Sequence, residues 1–267
     1  MGYEDLFHLA SVRPLVRYVD EDQAVIETHF TAEPSVSAAP GESLSRKVDV
    51  CIEINGSDGF HDEGLTPLHL QDGHGAVQFD MVKPNRWWPA GMGEQQLYEL
   101  RISLLINGEL ADEHSTTLGL TSVRVPQPDL AESGDPDDAK VHLLVNGHVC
   151  DIKSIVSIDA ADEQKMLPVA GNSLMLVRGH YGPDMLYDAA DRAGILVIQC
   201  VPIHPVASPE TDVKMHVDRL SHHPSLAGWC VGHLGDAAEE LRERIRALDP
   251  THSVFMEAPG TPGSTAA

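Results

Sequence analysis

Apolar and polar residues alternate along the first half of the chain. The segments VDVCIEI (48–54), AVQFDMV (76–82) and LYELRISL (97–104) each place an apolar residue at every second position. A period of two with one polar face is typical of antiparallel sheet. The stretches NGSDG, DGHG and NGE between these segments favour turns. We therefore predict a β-sandwich over residues 1–125.

The pattern changes after a stretch rich in Pro, Asp and Ser, VPQPDLAESGDPDDAK, which predicts a linker over residues 126–140. Beyond it, Asn146-Gly147 predicts a hairpin. Four short apolar runs, SLMLV, ILVIQCV, SLAGWCVG and SVFMEA, then alternate with three segments of helical periodicity. Buried strands linked by helices indicate parallel βαβ units. With the strand after the hairpin, about five parallel strands are expected over 141–258, followed by a flexible tail, 259–267.

Charge and composition narrow the classes of partner. The chain has 41 acidic and 18 basic residues and a formal charge of −23. This balance argues against binding to nucleic acid and to anionic membranes. No apolar run approaches the ~20 residues of a membrane span, and the start lacks the pattern of a secretion signal. A cytoplasmic location is therefore expected.

The cysteines lie apart from one another in apolar, strand-like runs, and none belongs to a CxxC pair: Cys51, Cys150, Cys200 and Cys230. This pattern favours buried, reduced thiols over a zinc site or a disulfide framework.

Several motifs carry a resemblance to a known family. RWWPAGMGEQQLYEL (86–100) is similar to the WWP-x-G-x-G-x-Q-x-LY segment that ends the immunoglobulin-like domain of glycoside hydrolase family 2, the β-mannosidase, β-galactosidase and β-glucuronidase group. VNGHVCDIKSIV resembles the hairpin that leads into the first strand of that family's barrel. NSLMLVRGHYGPDMLYDAADRAGILVIQ (172–199) resembles the second strand, second helix and third strand.

Two further motifs continue the resemblance in the same order. HPSLAGWCVGHLG resembles the fourth strand, which reads HPS-xxx-W-S-x-G-N-E in the family, and LDPTHSVFMEA resembles the LDPTRPV strand that follows. The resemblance implies an immunoglobulin-like β-sandwich followed by a partial TIM-type (β/α) barrel of about five strands.

The chain departs from the family at the positions that carry catalysis. The family's Asn-Glu pair, in which Glu is the general acid/base, is replaced by His233 and Leu234. The family's nucleophile lies on a seventh strand and its jelly-roll domain comes first, and neither is expected here, which implies a truncated relative. Retaining hydrolysis needs two carboxylates about 5 Å apart. We therefore expect no catalytic residue and no self-contained hydrolase.

Other residues are predicted to lie at the carboxyl ends of the parallel strands, where barrel folds place function. Arg178 there could hold a sugar or a carboxylate, or could pair with a neighbouring acid. Trp229 is interpreted as core packing in preference to stacking on a sugar. The candidate pocket residues are Arg178, His180, Tyr181, Trp229, His233 and Glu257.

A metal centre is the weaker interpretation of the same strand ends. His180, His204 and His233 follow successive strands, and Glu257 lies in the next one. Imidazoles and a carboxylate can bind zinc or iron. The spacing forms no compact motif in a chain with 15 histidines. No metal and no other cofactor is therefore predicted.

The sequence leads to a non-catalytic protein, or pseudoenzyme, that binds carbohydrate or serves as an assembly component. The open edges of a partial barrel predict a homo-oligomer, a partner chain, or covering by the linker and tail. One alternative is an active glycosidase subunit completed by a partner chain or a second copy. Another is a metal-dependent hydrolase that uses the strand-end histidines. A decayed gene product without a selected function is a further alternative.

Overall fold

The computed structural model describes most of the chain, in eight segments: 7–34, 48–57, 59–68, 73–124, 142–158, 173–202, 209–232 and 236–255.

Seven strands form two antiparallel sheets. The first sheet has the order β1-β2-β5, with β1 (Phe7–Val19), β2 (Gln23–Pro34) and β5 (His74–Val82). The second has the order β4-β3-β6-β7, with β3 (Val48–Gly56), β4 (His61–Leu68), β6 (Tyr98–Ile106) and β7 (Glu109–Leu118). Seven strands in this order are typical of an immunoglobulin-like sandwich. The predicted β-sandwich is confirmed.

The sandwich core follows from the alternation along its strands. On β6, Tyr98, Leu100 and Ile102 are almost fully buried, whereas Glu99 is exposed and Arg101 is half-buried. Successive side chains of a strand point to opposite faces, so the apolar set of β6 meets the apolar sets of both sheets. These side chains form one continuous core cluster.

A small antiparallel sheet lies between the two main parts of the chain. It has the order β10-β9-β8, with β8 (Val123–Arg124), β9 (His142–Val145) and β10 (His148–Asp151). Positive φ angles at Asn146 and Gly147, 51° and 82°, turn the chain between β9 and β10 as predicted. The predicted linker, 126–140, and tail, 259–267, lie outside the described residues.

Five parallel strands follow, in the order in which they occur along the chain: β11 (Ser154–Ile158), β12 (Ser173–Val177), β13 (Leu196–Cys200), β14 (Leu226–Cys230) and β15 (Ser253–Phe255). The helices that connect the last four are α1 (Asp184–Ala193), α2 (Pro209–Leu220) and α3 (Asp236–Leu248). The prediction of about five parallel strands is confirmed. Within the described segments, no helix combines the length and the apolar character that crossing a bilayer requires.

The two faces of the parallel sheet have different coverings. Met175, Val197 and Trp229 pack with side chains of the helices. Leu174 and Ile198, which point the other way, pack with Trp87 and the small β8–β10 sheet. Helices therefore cover one face of this sheet, and antiparallel strands and the Trp87 segment cover the other.

At the end of α1, a hydrogen bond between backbone groups joins the sandwich part of the chain to the α/β region. The helix ends at Gly194, which adopts a left-handed conformation (φ 68°) and donates its N–H to Ala190 O. The carbonyl of Gly194 accepts a hydrogen bond of 2.9 Å from Ala90 N. A Cβ at Gly194 would lie 2.4 Å from Ala90 N, so only glycine fits. Nearby, Trp87 Nε1 donates to Asp191 O at 2.8 Å.

Candidate functional site

The loop after β12 carries two of the predicted pocket residues to the carboxyl end of the parallel sheet. Arg178 follows the strand directly and its backbone N–H donates to Ile158 O at 3.0 Å. Gly179 adopts a positive φ of 75°, which turns the chain away from the strand. His180 comes next, and its Nδ1 donates to Arg178 O at 2.9 Å. Arg178 and His180 are both half-buried. The structure therefore brings these two residues together.

Gln199, in the neighbouring strand β13, fixes the path of this loop. The residue is fully buried. Its Oε1 accepts from Tyr187 Oη at 2.7 Å and from Gly182 N at 3.1 Å, and its Nε2 donates to His180 O at 2.8 Å. Burial raises the pKa of Tyr187, which keeps its hydroxyl protonated as a donor. The sequence prediction missed Gln199, although a single amide within ILVIQCV was the available signal.

The side chains of Tyr181 and Trp229 contact other parts of the protein, and among the described residues they line no pocket at the strand ends. The Tyr181 ring stacks on His216 of α2, with centroids 3.6 Å apart and planes 15° from parallel. Trp229 is fully buried on the helix-covered face, and its Nε1 donates to Asp249 Oδ2 at 2.8 Å. Trp229 has no exposed surface in this structure, which agrees with its interpretation as a core residue in preference to a residue that stacks on a sugar.

Two thiols lie next to Arg178 at the same end of the sheet. Cys200 and Cys230 are the last residues of β13 and β14, and they are paired in register. A hydrogen bond with Cys230 and partial burial raise the pKa of the Cys200 thiol, against which the charge of Arg178 acts in the opposite direction. Neither cysteine is in a disulfide, and Cys230 is buried whereas Cys200 is half-buried. From the sequence, the four cysteines were interpreted as separate buried thiols, and this pair was not predicted.

The remaining predicted positions lie outside the described residues: His204, His233, Leu234 and Glu257. In the sequence, His204 comes after β13, His233 and Leu234 come after β14, and Glu257 comes after β15. The part of the candidate site that the structure describes therefore consists of Arg178, His180 and the two thiols.

A different group of side chains has the spacing of metal ligands. Ligand atoms of Asp188, Asp191 and His223 lie within 4.8 Å of one another. Asp191 already accepts hydrogen bonds on both oxygens, from His223 Nδ1 at 2.7 Å and from Ser225 N at 3.0 Å. The side chains of Asp191 and His223 are 1% and 2% exposed. These bonds tie the start of the HPS motif to α1, so the pair stabilises the fold, and it is not the predicted histidine set.

A cleft of about 650 Å³ lies between the sandwich and helices α1 and α2. Residues of its lining form ion pairs: Asp218 accepts from Arg13 at 2.6 Å and from Lys214 at 2.5 Å. Burial lowers the pKa of His114, and burial together with the neighbouring His223 lowers that of His222. The cleft is therefore lined by histidines and by charges of both signs, which form no single-sign binding surface.

The fold and the strand-end cluster define a class of two-part protein, a β-sandwich joined to a parallel α/β region. Comparison with known proteins gives the family. The profile described as "Glycosyl hydrolases family 2" matches residues 15–120, which span most of the sandwich. β-Mannosidase A of Aspergillus aculeatus is 30% identical over 222 residues, or 72% of this chain and 23% of the relative. β-Mannosidase B of Aspergillus clavatus is 32% identical over 182 residues, 60% of this chain and 21% of the relative.

Solved structures show the same fold over nearly the whole chain. The β-D-mannosidase of Dictyoglomus thermophilum superimposes with a TM-score of 0.70 at 20% identity and covers 94% of this chain and 34% of its own. A glycosyl hydrolase family 2 member of Bacteroides cellulosilyticus gives 0.68 at 19% identity, with 93% and 35% covered.

This chain is a relative of glycoside hydrolase family 2, and the predicted resemblance is confirmed. The matched region spans under a quarter of the β-mannosidases and about a third of the solved structures.

Proposed function

We propose that this chain is a non-hydrolytic relative of glycoside hydrolase family 2 that binds carbohydrate at the carboxyl ends of its parallel strands. The observation that carries the proposal is Leu234, which stands where the family's strand-four motif has the general acid/base Glu. An alkyl side chain can neither protonate a glycosidic oxygen nor deprotonate a water molecule. The substitution removes that role whatever other residues accompany this segment.

The strands and helices from β11 to β15 are interpreted as part of a (β/α) barrel. Their order in the sheet equals their order in the chain, and the helices pack on one face only. A doubly wound sheet has helices on both faces, whereas a barrel has them outside. This interpretation makes the end with Arg178 the functional end, because barrels place their sites at the carboxyl ends of the strands.

Arg178 and His180 are the residues that we assign to sugar binding. A guanidinium offers five N–H donors and an imidazole offers a donor or an acceptor, which suits hydroxyl groups or a sugar carboxylate. Gln199 holds the loop that carries them through its bond to His180 O. A preformed loop lowers the entropy cost of binding.

The test uses two β-mannoside probes, because the similar proteins named above are β-mannosidases. Calorimetric titration with β-1,4-mannobiose is expected to show saturable binding that Arg178→Ala reduces at least tenfold. Arg192→Ala, on the exposed end of α1, removes the same charge away from the strand ends and serves as the matched control. With 4-nitrophenyl β-mannoside, no release of nitrophenol above the buffer rate is expected.

Two results contradict the proposal. Saturable hydrolysis that His233→Ala abolishes would show that the altered motif is catalytically active. Equal binding by the wild type, Arg178→Ala and Arg192→Ala would remove the strand ends as the binding site.

The second part of the proposal is an assembly, and it is based on the two edge strands of the parallel sheet. Among the described residues, β11 pairs only with β12, and β15 only with β14. Exposed strand edges are normally covered. We propose that a second copy or a partner chain covers them, which is also how an active glycosidase subunit could be completed. Light scattering after size-exclusion chromatography is expected to give a multiple of 28.9 kDa. A stable monomer would mean that the edges of β11 and β15 are covered by residues of the same chain.

A cytoplasmic location completes the proposal. It is supported by the four cysteines, none of which is in a disulfide. Fractionation of the source cells is expected to place the protein with the cytosolic enzymes, and recovery from the culture medium would overturn this part.

A further inference from the structure

The pairing of β13 with β14 sets Cys200 opposite Cys230. The two residues are direct partners in the parallel register. Neighbouring strands lie about 4.8 Å apart, which falls within the roughly 4.4–6.8 Å that disulfides span between Cα atoms. Both side chains contact the core cluster on the face opposite the helices, so they project from the sheet in the same direction. The backbone geometry therefore meets the first requirement for a disulfide.

The two side chains also interact. A hydrogen bond with Cys230 is the largest cause that raises the pKa of the Cys200 thiol. The charge of Arg178 opposes this rise in the pKa without outweighing it, and it disfavours a bound metal cation. This neighbour therefore favours thiol–disulfide chemistry over a soft-metal site.

The two thiols differ in access to solvent. Cys230 is 5% exposed, whereas Cys200 is half-buried. An external reagent therefore reaches Cys200 first, and Cys230 is placed to react with whatever forms on Cys200. This order is that of an attacking and a resolving cysteine.

We propose that Cys200 and Cys230 form a reversible dithiol–disulfide pair that is oxidised by small disulfides of the glutathione class. The Cys200 thiolate, after losing its proton to solvent, attacks one sulfur of the small disulfide, and one small thiolate leaves. The Cys230 thiolate then attacks the Cys200 sulfur, the internal disulfide forms and the second small thiolate leaves. Two protein thiols lose two electrons, and one small disulfide becomes two thiols.

The pair links redox state to the candidate site. The cross-link joins the carboxyl ends of two strands beside Arg178, which we assign to sugar binding. The formation of the disulfide itself does not depend on that assignment, and it can be tested without any sugar.

The experiment treats the intact, folded chain with oxidised glutathione, followed by alkylation and mass spectrometry. We expect loss of two hydrogen atoms from the chain and a peptide cross-linked through Cys200 and Cys230. Because only the thiolate reacts, the rate is expected to rise about tenfold per pH unit between pH 7 and 9. Cys51→Ser/Cys150→Ser, which lacks the other two cysteines, is the matched control and should form the same cross-link.

Single variants separate the two roles. Cys230→Ser is expected to accumulate a glutathione adduct on Cys200, and Cys200→Ser is expected to react at least tenfold more slowly. Circular dichroism checks that each variant is folded. The proposal is overturned by cross-links that involve Cys51 or Cys150, or by a folded wild type that stays reduced while the urea-unfolded chain is oxidised.

Discussion

The sandwich and the parallel α/β region both have apolar cores, but they enclose different amounts of polar chemistry. In the described part of the sandwich sheets, Thr28 and Asp49 are the buried polar residues. The described α/β region buries several more, most of them next to loops that join strands and helices: Ser173, Asp191, Gln199, Asp218, Ser221, His223, Ser225 and Asp249. A buried polar group needs a hydrogen-bond partner, so each of these side chains holds the segment that it bonds to in one position.

The difference follows from the connections in each part. Short turns join some strands of the sandwich, such as the one between β6 and β7, and these need few side-chain contacts. The α/β region has longer loops at both ends of its sheet. Asp191 anchors the loop before β14, Gln199 the loop after β12, and Asp249 the turn before β15. The polar interior of the α/β region therefore positions loops, and its apolar interior supports the sheet.

The largest expected effect comes from removing the Asp191 carboxylate. Asp191→Ala leaves the buried His223 ring and Ser225 N–H without their acceptor. We expect the free energy of unfolding to fall by about 3–5 kcal/mol, measured by urea denaturation. Asp188→Ala, one helical turn earlier and half-exposed, is the control and should change stability by less than about 0.5 kcal/mol. Equal losses in both variants would indicate that the acidic group acts as a unit, as a metal site would.

Gln199→Leu tests the second loop anchor. It leaves the Tyr187 hydroxyl and the Gly182 N–H unpaired in the interior, at an expected cost of about 2–4 kcal/mol. Amide exchange at Gly182 should also accelerate. Gln96→Leu, whose amide bonds to the exposed Ser57 in the sandwich, should cost less than about 0.5 kcal/mol. If both changes cost the same, polar anchoring does not distinguish the two regions.

Asp249 makes part of the stability depend on pH. Burial by itself raises the pKa of Asp249. The His252 ring and hydrogen bonds from donors that include Trp229 lower this pKa by more than burial raises it, so it lies below its usual range. A lowered folded-state pKa stabilises the protein above the unfolded value near 3.8, and this contribution is lost as pH falls through the folded pKa. Asp249→Asn should cost about 1–3 kcal/mol at pH 7. The difference should shrink below pH 3.8 in denaturation curves, and a constant difference would contradict the assignment.

The smallest effect compares the apolar cores directly. Ile102 in the sandwich and Ile198 in the parallel sheet are both fully buried. Ile→Val at either position should cost about 0.5–1.5 kcal/mol, with no dependence on pH between 5 and 8. Thermal or urea unfolding of the two variants provides the measurement. A much larger cost at Ile198 would mean that apolar packing, too, differs between the regions.

Much of the fold could be predicted because its elements have a regular period. The strands around Val50, Phe79 and Ile102, the hairpin at Asn146-Gly147 and all three helices lie where the sequence placed them. Other strands were not identified individually. In β1, register shifts near Leu9 and Val16 break the period of two. In β7 the only buried side chains are Ala111 and Leu118, as expected at a sheet edge.

The site was harder to predict than the fold. Arg178 and His180 could be placed because a motif fixes them at the end of one strand. Asp191 and His223 are 32 residues apart, and their contact depends on how α1 packs against the turn before β14. The Cys200–Cys230 pair likewise depends on strand register, which local periodicity does not determine.

The contact of the Trp87–Ala90 segment with the end of α1 also constrains the order of folding. Trp87 donates to Asp191, 104 residues later, and Ala90 donates to Gly194. The segment that leads into β6 thus has its binding surface in a helix that the ribosome makes much later. Contacts between residues so far apart in sequence slow folding, because a long loop must close before they form. The Trp87–Ala90 segment can therefore complete its contacts only after α1 has been synthesised and has formed its glycine end.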